Sequence, residues 1–358
     1  MELKQLRDKI DQIDQQIVKL LNERYHCAKA IGSVKQQQNQ PVYVPEREKR
    51  VLDMVCSLNQ ECGGIVKPET LRAVYREIMS GAISLESPIK VSFLGPRGTF
   101  SHEAAIQRFG RSVEFVEALS IGAAFLDVET GRADYACVPV ENSTEGAVSY
   151  TLDTLVHSRS EICAEMNVAV HHNLLARCPK EKITKIYSHE QIFGQCRNYL
   201  AANFPKAEQV IVSSSARAAK LAAEEPNTGV VAGLVAAEVF QLHVLERNIE
   251  DFAHNTTRFF VISRQKTEPT GDDKTSVCFS VNDRVGALHD VLKPFKAGNI
   301  MMTMIESRPM KTNNWEYCFF VDVLGHQHDP SIQKCFAEVS ENCRMFKILG
   351  SYPRSPSE

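Results

Sequence analysis

The apolar positions of residues 2–36 step by three and four: Leu3, Leu6, Ile10, Ile13, Ile17, Leu20, Leu21, Tyr25, Ala28, Ile31 and Val34. That period belongs to an α-helix and lies close to a heptad seam. Pro41 and Pro45 separate it from a second helix over roughly residues 46–61, which Gly63-Gly64 ends. Pro68 suits a first helical position. Leu71, Val74, Tyr75, Ile78, Met79, Ala82 and Ile83 then mark one face of a third helix, stopped by Pro88. Residues 1–87 therefore read as all helix. A helix of about 35 residues spans roughly 50 Å, more than two shorter helices can cover. A dimer in which the long helices pair is the economical arrangement.

At Ile89 the period changes. Ile89–Leu94 reads as a strand and Gly95-Pro96-Arg97-Gly98 as a turn, and Thr99 or Ser101 can cap a helix beginning near His102. Strand patterns recur near 113–116, 134–140, 166–171, 183–187, 209–213, 228–232 and 257–263, with helical patterns between them. This alternation predicts an α/β domain over 89–264 with a mainly parallel sheet. The polar stretch Arg264–Lys274 reads as a linker. Strand 275–281, helix 286–297, strand 300–308, strand 315–324, helix 330–340 and strand 343–352 follow, the βαββαβ order of a ferredoxin-like α+β domain. The tail, 353–358, reads as disordered.

A chain of 358 residues has room for two or three domains with cores that need no covalent staples. A net charge of −3 argues against a general nucleic-acid footprint. No apolar run is long enough to span a membrane, and the polar, helical start is not a signal peptide. Eleven cysteines, odd in number and without a CxxC pair, read as reduced thiols in a cytoplasmic protein. His326 and His328 form an HxH without a cysteine or carboxylate at ligand spacing, so neither metal nor other cofactor is expected.

Three cations interrupt the apolar stripe of the first helix: Arg7, Arg24 and Lys35. Arg24 and Lys35 differ by only about 20° around the axis and lie roughly 16 Å apart. Burying an unpaired cation costs several kcal/mol, so the stripe meets an anion unless these heads snorkel to water. Arg47 and Glu48 open the second helix, and Glu86 ends the third. Together these residues make a cage for a compact multi-anion. Glu48 would accept from a hydroxyl, and Glu86 would donate only when protonated.

Downstream, Gly95–Ser101, Glu141–Gly146, Ser188–Gln191 and Ser213–Ser215 are strand-to-helix turns rich in Ser, Thr and Gly. Their amides can face an anion at the carboxyl ends of a sheet, although each alone fits a helix cap. Arg258 opens an apolar strand, as a rim residue or as a carboxylate clamp.

The segments LRDKIDQID at 6–14, NER at 22–24, IGSVK at 31–35 and PVYVPEREKR at 41–50 resemble the all-helical chorismate mutase family, a match covering 1–87. The resemblance implies Arg7, Arg24 and Arg47 for the substrate carboxylates, Lys35 and Glu86 for the ether oxygen, and Glu48 for the ring hydroxyl. Arg7 lies about 26 Å along the helix from Arg24, so it would serve the partner's site across a dimer. Two positions depart from other members: Val44 stands where some have Asp, and Glu86 where some have Gln. A carboxylate at 86 predicts mutase activity that falls at alkaline pH.

GPRGTFSHEAA at 95–105, ADYACVPVENSTEG at 133–146, SHEQIFGQC at 188–196, SSSARAA at 213–219 and NTTRFFVI at 255–262 look like prephenate dehydratase, across 89–264. That resemblance implies a two-lobed α/β domain with Thr257 most directly involved in chemistry and Arg258 and Phe259 completing a TRF motif. Thr99, Asn142, Ser143, Ser188, Gln191 and Ser214 would line the pocket. VGALHDVL at 285–292 and ESRP at 306–309 are similar to the ACT regulatory domain, over 275–352. This implies phenylalanine binding at a dimer interface around Gly286, Ala287, Leu288, Asn299, Glu306, Ser307 and Arg308.

The expectation is thus a multidomain, bifunctional enzyme of phenylalanine biosynthesis, a homodimer or homotetramer with no nucleic-acid or membrane partner. Chorismate would become prephenate in 1–87 and prephenate would become phenylpyruvate in 89–264, under phenylalanine control through 275–352. A dehydratase acting on arogenate is one rival reading. A non-catalytic sensor with an ACT domain is the other, and the TRF segment and the fused helical cage argue against it.

Overall fold

The computed structural model describes residues 3–38, 40–86, 88–252, 254–309 and 317–355. Residue 2 of the first expected helix, 315–316 of an expected strand and 356–358 of the tail lie outside the described residues. The chain divides into two compact units. One comprises residues 1–90 with 108–114, the other 91–107 with 115–358.

The first unit holds three helices, α1 (Leu3–Gln37), α2 (Pro45–Glu61) and α3 (Pro68–Glu86). Pro45 begins α2, where its missing N–H costs no helical bond. On α1 the only buried residues are Ala28 and Gly32. Leu3, Leu6, Ile10, Ile13, Ile17 and Leu20 are all exposed, so the first half of the seam that the periodicity predicts is uncovered by the described residues. Gly32 allows α1 and α3 to approach: a Cβ there would stand 2.8 Å from Glu86 Cβ. Residues 108–114 pack on α3, where Ser112 N donates to Ser80 Oγ at 3.2 Å.

The second unit holds three sheets. The first runs Glu114–Ala118, Lys90–Leu94, Tyr135–Asn142, Thr256–Ser263, Glu161–Ala169, with Gly146–Ala147 beside Tyr135–Asn142. The second runs His243–Glu246, Asn173–Ala176, Thr228–Ala232, Lys185–Ser188, Glu208–Ile211. Both are mixed, and the expectation of a mainly parallel sheet is corrected. Lys90–Leu94 runs parallel to Tyr135–Asn142, and Lys185–Ser188 runs parallel to both of its neighbours. Thr256–Ser263, however, is antiparallel to the strands on either side of it. Strands joined by a helical crossover pair in parallel, whereas this one returns over a long connection and inserts the other way. The single apolar run expected near 166–171 is also two strands, Glu161–Ala169 and Asn173–Ala176, which enter different sheets on either side of His171 and His172.

The third sheet has the expected βαββαβ order, with helices Ala287–Ala297 and Pro330–Glu341. Its strands lie in the order Met302–Pro309, Tyr317–Leu324, Asp273–Ser280, Met345–Pro353, all antiparallel. Two expectations fail beside it. The stretch read as a linker is packed, with Thr267 buried and its hydroxyl donating to Ser351 O. The tail is tied down as far as residue 355: Pro353 pairs with Asp273, Arg354 N donates to Asp272 O and Ser355 N to Glu165 Oε1. Gly350, at φ 151°, lets this sheet lie against Glu161–Ala169, since a Cβ there would overlap the backbone of Ile162. Phe260 and Ile262 of the first sheet share a core with Cys278, Phe320, Leu349 and Tyr352 of the third.

Arg258 lies in this contact. Its Nη2 donates to Glu165 Oε2 at 2.6 Å and to Tyr352 OH at 3.2 Å, and its Nη1 stands 2.6 Å from Asp322 Oδ2. Lys274 Nζ pairs with Glu165 Oε1 at 2.8 Å. The guanidinium also lies 4.7 Å from the centre of the Phe260 ring. Burial opposes the charge on Glu165, but Arg258 and Lys274 together hold its carboxyl below the usual range. Removing one partner from such a group strands the others. Arg258→Ala is therefore expected to lower stability by about 3–5 kcal/mol in urea unfolding of the full chain. An unchanged midpoint would show that the group contributes nothing to the fold.

Candidate active sites

In the helical unit a cavity of about 520 Å³ is lined by Arg24, Lys35, Arg47, Glu48 and Glu86, five of the six residues expected for the anion cage. Arg7 does not line it and is exposed farther up α1. Lys35 Nζ donates to Val42 O at 2.7 Å and stands 3.5 Å from Glu86 Oε2. Burial pushes the Glu86 carboxyl above its ordinary pKa, and Lys35 offsets this only in part. Glu48 is buried. Its Oε2 accepts from Tyr43 OH at 2.6 Å and pairs with Arg108 Nη2 at 2.9 Å.

Tyr43, Arg76 and Arg108 also line this cavity, and the sequence reading missed all three. Arg76 lies on α3 at helical spacing from Met79 and Ile83, beside the apolar face, and the apolar pattern did not single it out. Its Nε has no hydrogen-bond partner among the described residues, and burial, then Arg108, pushes its pKa down. Arg108 carries no helical-period signal toward the cage, because it belongs to a separate helix, α4 (Phe100–Phe109). The lining sets five cationic side chains, Arg24, Lys35, Arg47, Arg76 and Arg108, against two carboxylates, Glu48 and Glu86. That excess suits a compact dianion. Val44, which caps α2 without a side-chain bond, gives the cavity no polar group.

In the second unit a polar cluster surrounds Thr257. Asn142 Nδ2 donates to Thr257 Oγ1 at 2.8 Å and to Asn255 Oδ1 at 2.9 Å. Its orientation is fixed from the other side, where Oδ1 accepts from Thr144 N at 3.0 Å, Glu145 N at 3.2 Å and Thr144 Oγ1 at 2.6 Å. Backbone amides can only donate, so the amide nitrogen must face Thr257. Thr257 Oγ1 thus has an acceptor position filled while its own proton remains to be donated. Asn255 Nδ2 continues to Gln195 Oε1 at 3.2 Å, which also meets His172 Nε2 at 2.6 Å. Burial lowers the pKa of His172, and a neutral ring that donates from Nε2 satisfies this contact.

The other expected pocket residues of this unit have local roles in the structure. Thr99 Oγ1 accepts from His102 N and donates to Pro96 O, capping α4. Ser214 caps the helix Ser215–Glu224 by accepting from Arg217 N. Buried Ser188 donates to Val231 O at 2.8 Å. Ser143 Oγ accepts from Thr256 N at 3.0 Å, bracing the strand that carries Thr257. Gln191 is exposed, and Gln195, one helical turn later, joins the cluster instead. Of the TRF motif, Thr257 joins the Asn142 cluster and Arg258 and Phe259, expected at the same site, do not. Successive strand residues face opposite ways, so Arg258 joins the Glu165–Asp322 group while Phe259 is core, 1% exposed.

A cavity of about 340 Å³ in the βαββαβ portion is lined by Asn282, Arg284, Gly286, Ala287, Leu288 and Arg344, among others. Gly286 stands at φ 77° just before the helix Ala287–Ala297. Asn299, Glu306, Ser307 and Arg308, expected at the same site, do not line it in one chain. The last three lie on the edge strand Met302–Pro309, where Arg308 Nη2 comes within 3.7 Å of Asp153 Oδ1. Among the described residues, no group of three or more His, Cys, Asp or Glu could hold a metal ion, and no helix is long and apolar enough to cross a membrane.

Two family models match this chain. The family model of chorismate mutase type II matches residues 6–87, and that of prephenate dehydratase matches residues 91–267. A bifunctional chorismate mutase/prephenate dehydratase of Aquifex aeolicus is 44% identical, over 99% of this chain and 98% of its own. That of Stutzerimonas stutzeri is 42% identical over the same shares. The solved prephenate dehydratase of Arthrobacter aurescens, in complex with L-Phe, is 32% identical with a TM-score of 0.69, covering 75% of this chain and 92% of that one. The chain belongs to the bifunctional chorismate mutase/prephenate dehydratase family, an isomerase and a lyase of phenylalanine biosynthesis.

Proposed function

We propose that the helical cavity holds chorismate for the mutase step and that the Thr257–Asn142 cluster serves the dehydratase step. The observation that carries the first assignment is the excess of cations around two buried carboxylates in one cavity. A Claisen rearrangement needs no nucleophile. It needs a fixed chair-like conformer and positive charge where oxygen becomes negative. Arg24 and Arg47 take the substrate carboxylates, joined by Arg7 of a second copy. Lys35 and protonated Glu86 face the ether oxygen, and Glu48 accepts from the ring hydroxyl. The uncovered seam of α1 supports the second copy.

In the dehydratase step, the bond between the ring and its carboxylate carbon breaks and carbon dioxide leaves, while the electron pair of that bond moves into the ring and expels hydroxide, driven by aromatisation. Thr257 donates a hydrogen bond to that leaving oxygen, and the bond from Asn142 aims it. A threonine hydroxyl is a poor acid, so positioning carries most of the effect. A mutase site in the same chain supplies prephenate, which favours prephenate over arogenate as the substrate.

Residues 275–352 form an ACT regulatory domain in this reading, following domains at 1–87 and 89–264. Phenylalanine occupies the cavity beside Gly286, Ala287 and Leu288. A second copy's edge strand completes the site with Asn299, Glu306, Ser307 and Arg308, giving a homodimer or homotetramer. The L-Phe complex of the Arthrobacter aurescens relative supports this. Eleven cysteines without a disulfide support a cytoplasmic location.

Three outcomes are expected. The raised pKa of Glu86 means that the donor form is present below that value and is lost as pH rises through it. Mutase kcat/KM should therefore fall toward alkaline pH, and Glu86→Gln should flatten the profile. A parent profile that is level from about pH 5 to about pH 9 would exclude a donating Glu86. Thr257→Ala should lower phenylpyruvate formation from added prephenate by about a hundredfold or more, while the loss of chorismate absorbance proceeds at the parent rate. A parallel fall in both would mean that the two activities are not separable. L-Phe should inhibit the dehydratase of the full chain, and Gly286→Ala, which forces a side chain into a left-handed φ, should weaken that inhibition. Equal inhibition of both proteins would remove the cavity from consideration.

A further inference from the structure

We infer that Arg108 is a positioning residue of the mutase site, acting through Glu48, although it lies in the stretch matched by the prephenate dehydratase model. The inference rests on the proposed role of Glu48 in accepting the substrate hydroxyl. Residues 108–114 group with the helical unit rather than with the rest of their own domain match. Three contacts fix them there. Phe109 packs on Tyr43 with ring centres 5.1 Å apart, Ser112 N donates to Ser80 Oγ, and Gly110, at φ 73°, turns the chain between them where a Cβ would overlap Ser80. Arg108 itself lies 5.8 Å from the centre of the Tyr43 ring, and its side chain is only 16% exposed.

Glu48 is therefore gripped by two donors on one oxygen. Tyr43 OH and Arg108 Nη2 both reach Oε2, and this leaves Oε1 as the atom to meet the substrate. Two donors on one oxygen fix the orientation of the carboxylate, and one of them is a charged guanidinium. The need for that grip is local. Val44 supplies no polar group to share the hydroxyl, so its placement depends on Glu48.

The test uses the full chain and four variants: Arg108→Ala, Arg108→Lys, Glu48→Gln and the double variant Glu48→Gln/Arg108→Ala. Mutase kinetics on chorismate and dehydratase turnover of added prephenate are measured on each preparation. Arg108→Ala should lower mutase kcat/KM about ten- to a hundredfold, the scale of a hydrogen bond to a charged group. Arg108→Lys should recover part of the loss, and dehydratase turnover should be unchanged. In the Glu48→Gln background, removing Arg108 should cost little more, because the two act as one. Losses that multiply would overturn the inference, as would full mutase activity in Arg108→Ala or a fall in both activities. If Glu48→Gln alone keeps parent activity, the role given to Glu48 fails, a result distinct from a failure at Arg108.

Discussion

A guanidinium taken out of water must be met by carboxylates, and the ion group around Arg258 answers that demand with residues from three separate stretches of chain. Glu165 comes from a strand of the first sheet, Asp322 and Tyr352 from two strands of the third. Lys274 also pairs with Glu165, so two cations face the two carboxylates Glu165 and Asp322. Electroneutrality inside a dry contact ties the βαββαβ portion to the strand that carries Thr257. The close approach at Gly350 and the shared core of Phe260, Ile262, Leu349 and Tyr352 depend on the same contact.

The helical cavity has the opposite balance. Its cations outnumber its carboxylates, and an uncompensated cluster of arginines persists only where solvent or a ligand anion reaches it. The charge imbalance separates this cavity from the balanced ion group around Arg258. The same residue type thus has two meanings in one chain: Arg258 is balanced and buried, whereas Arg24 and Arg47 remain accessible beside a cavity.

Much of this was legible in the residues themselves. The period of α1, and the prolines and glycines around α2 and α3, marked three helices, because helical periodicity is local. Rise and angle per residue place Arg24 and Lys35 on one face of α1, and the resemblance to chorismate mutases is what joined Arg47, Glu48 and Glu86 to them. Arg108 could not be joined to them, since nothing in a helix of its own indicates which surface its end will meet. Strand alternation implied that Thr257 and Arg258 face opposite ways, yet alternation does not say which face meets a cleft and which another sheet. Gln191 and Gln195 are one turn apart and share a helix face, so periodicity could not choose between them. The sheets were misjudged because the pairing of Thr256–Ser263 joins segments far apart in sequence. Short local patterns carry no information about such a partner.

The two sites use one physical device on different scaffolds. Glu48 has one oxygen held by Tyr43 and Arg108, and Asn142 has its carbonyl held by the amides of Thr144 and Glu145. In each case protein fills the competing hydrogen-bonding directions of a polar group, which in the proposed scheme leaves Glu48 Oε1 and the Thr257 proton for the substrate. Neither reaction forms a covalent enzyme intermediate in the proposed scheme, so neither site gains from a more reactive group. What lowers the barrier is orientation already established before substrate arrives, since dipoles that need not reorganise stabilise developing charge more strongly than mobile water does. On that account the residues that hold Glu48 and Asn142 matter to rate in the same way as the residues that touch substrate. A site of this kind then extends as far as its network of filled hydrogen bonds.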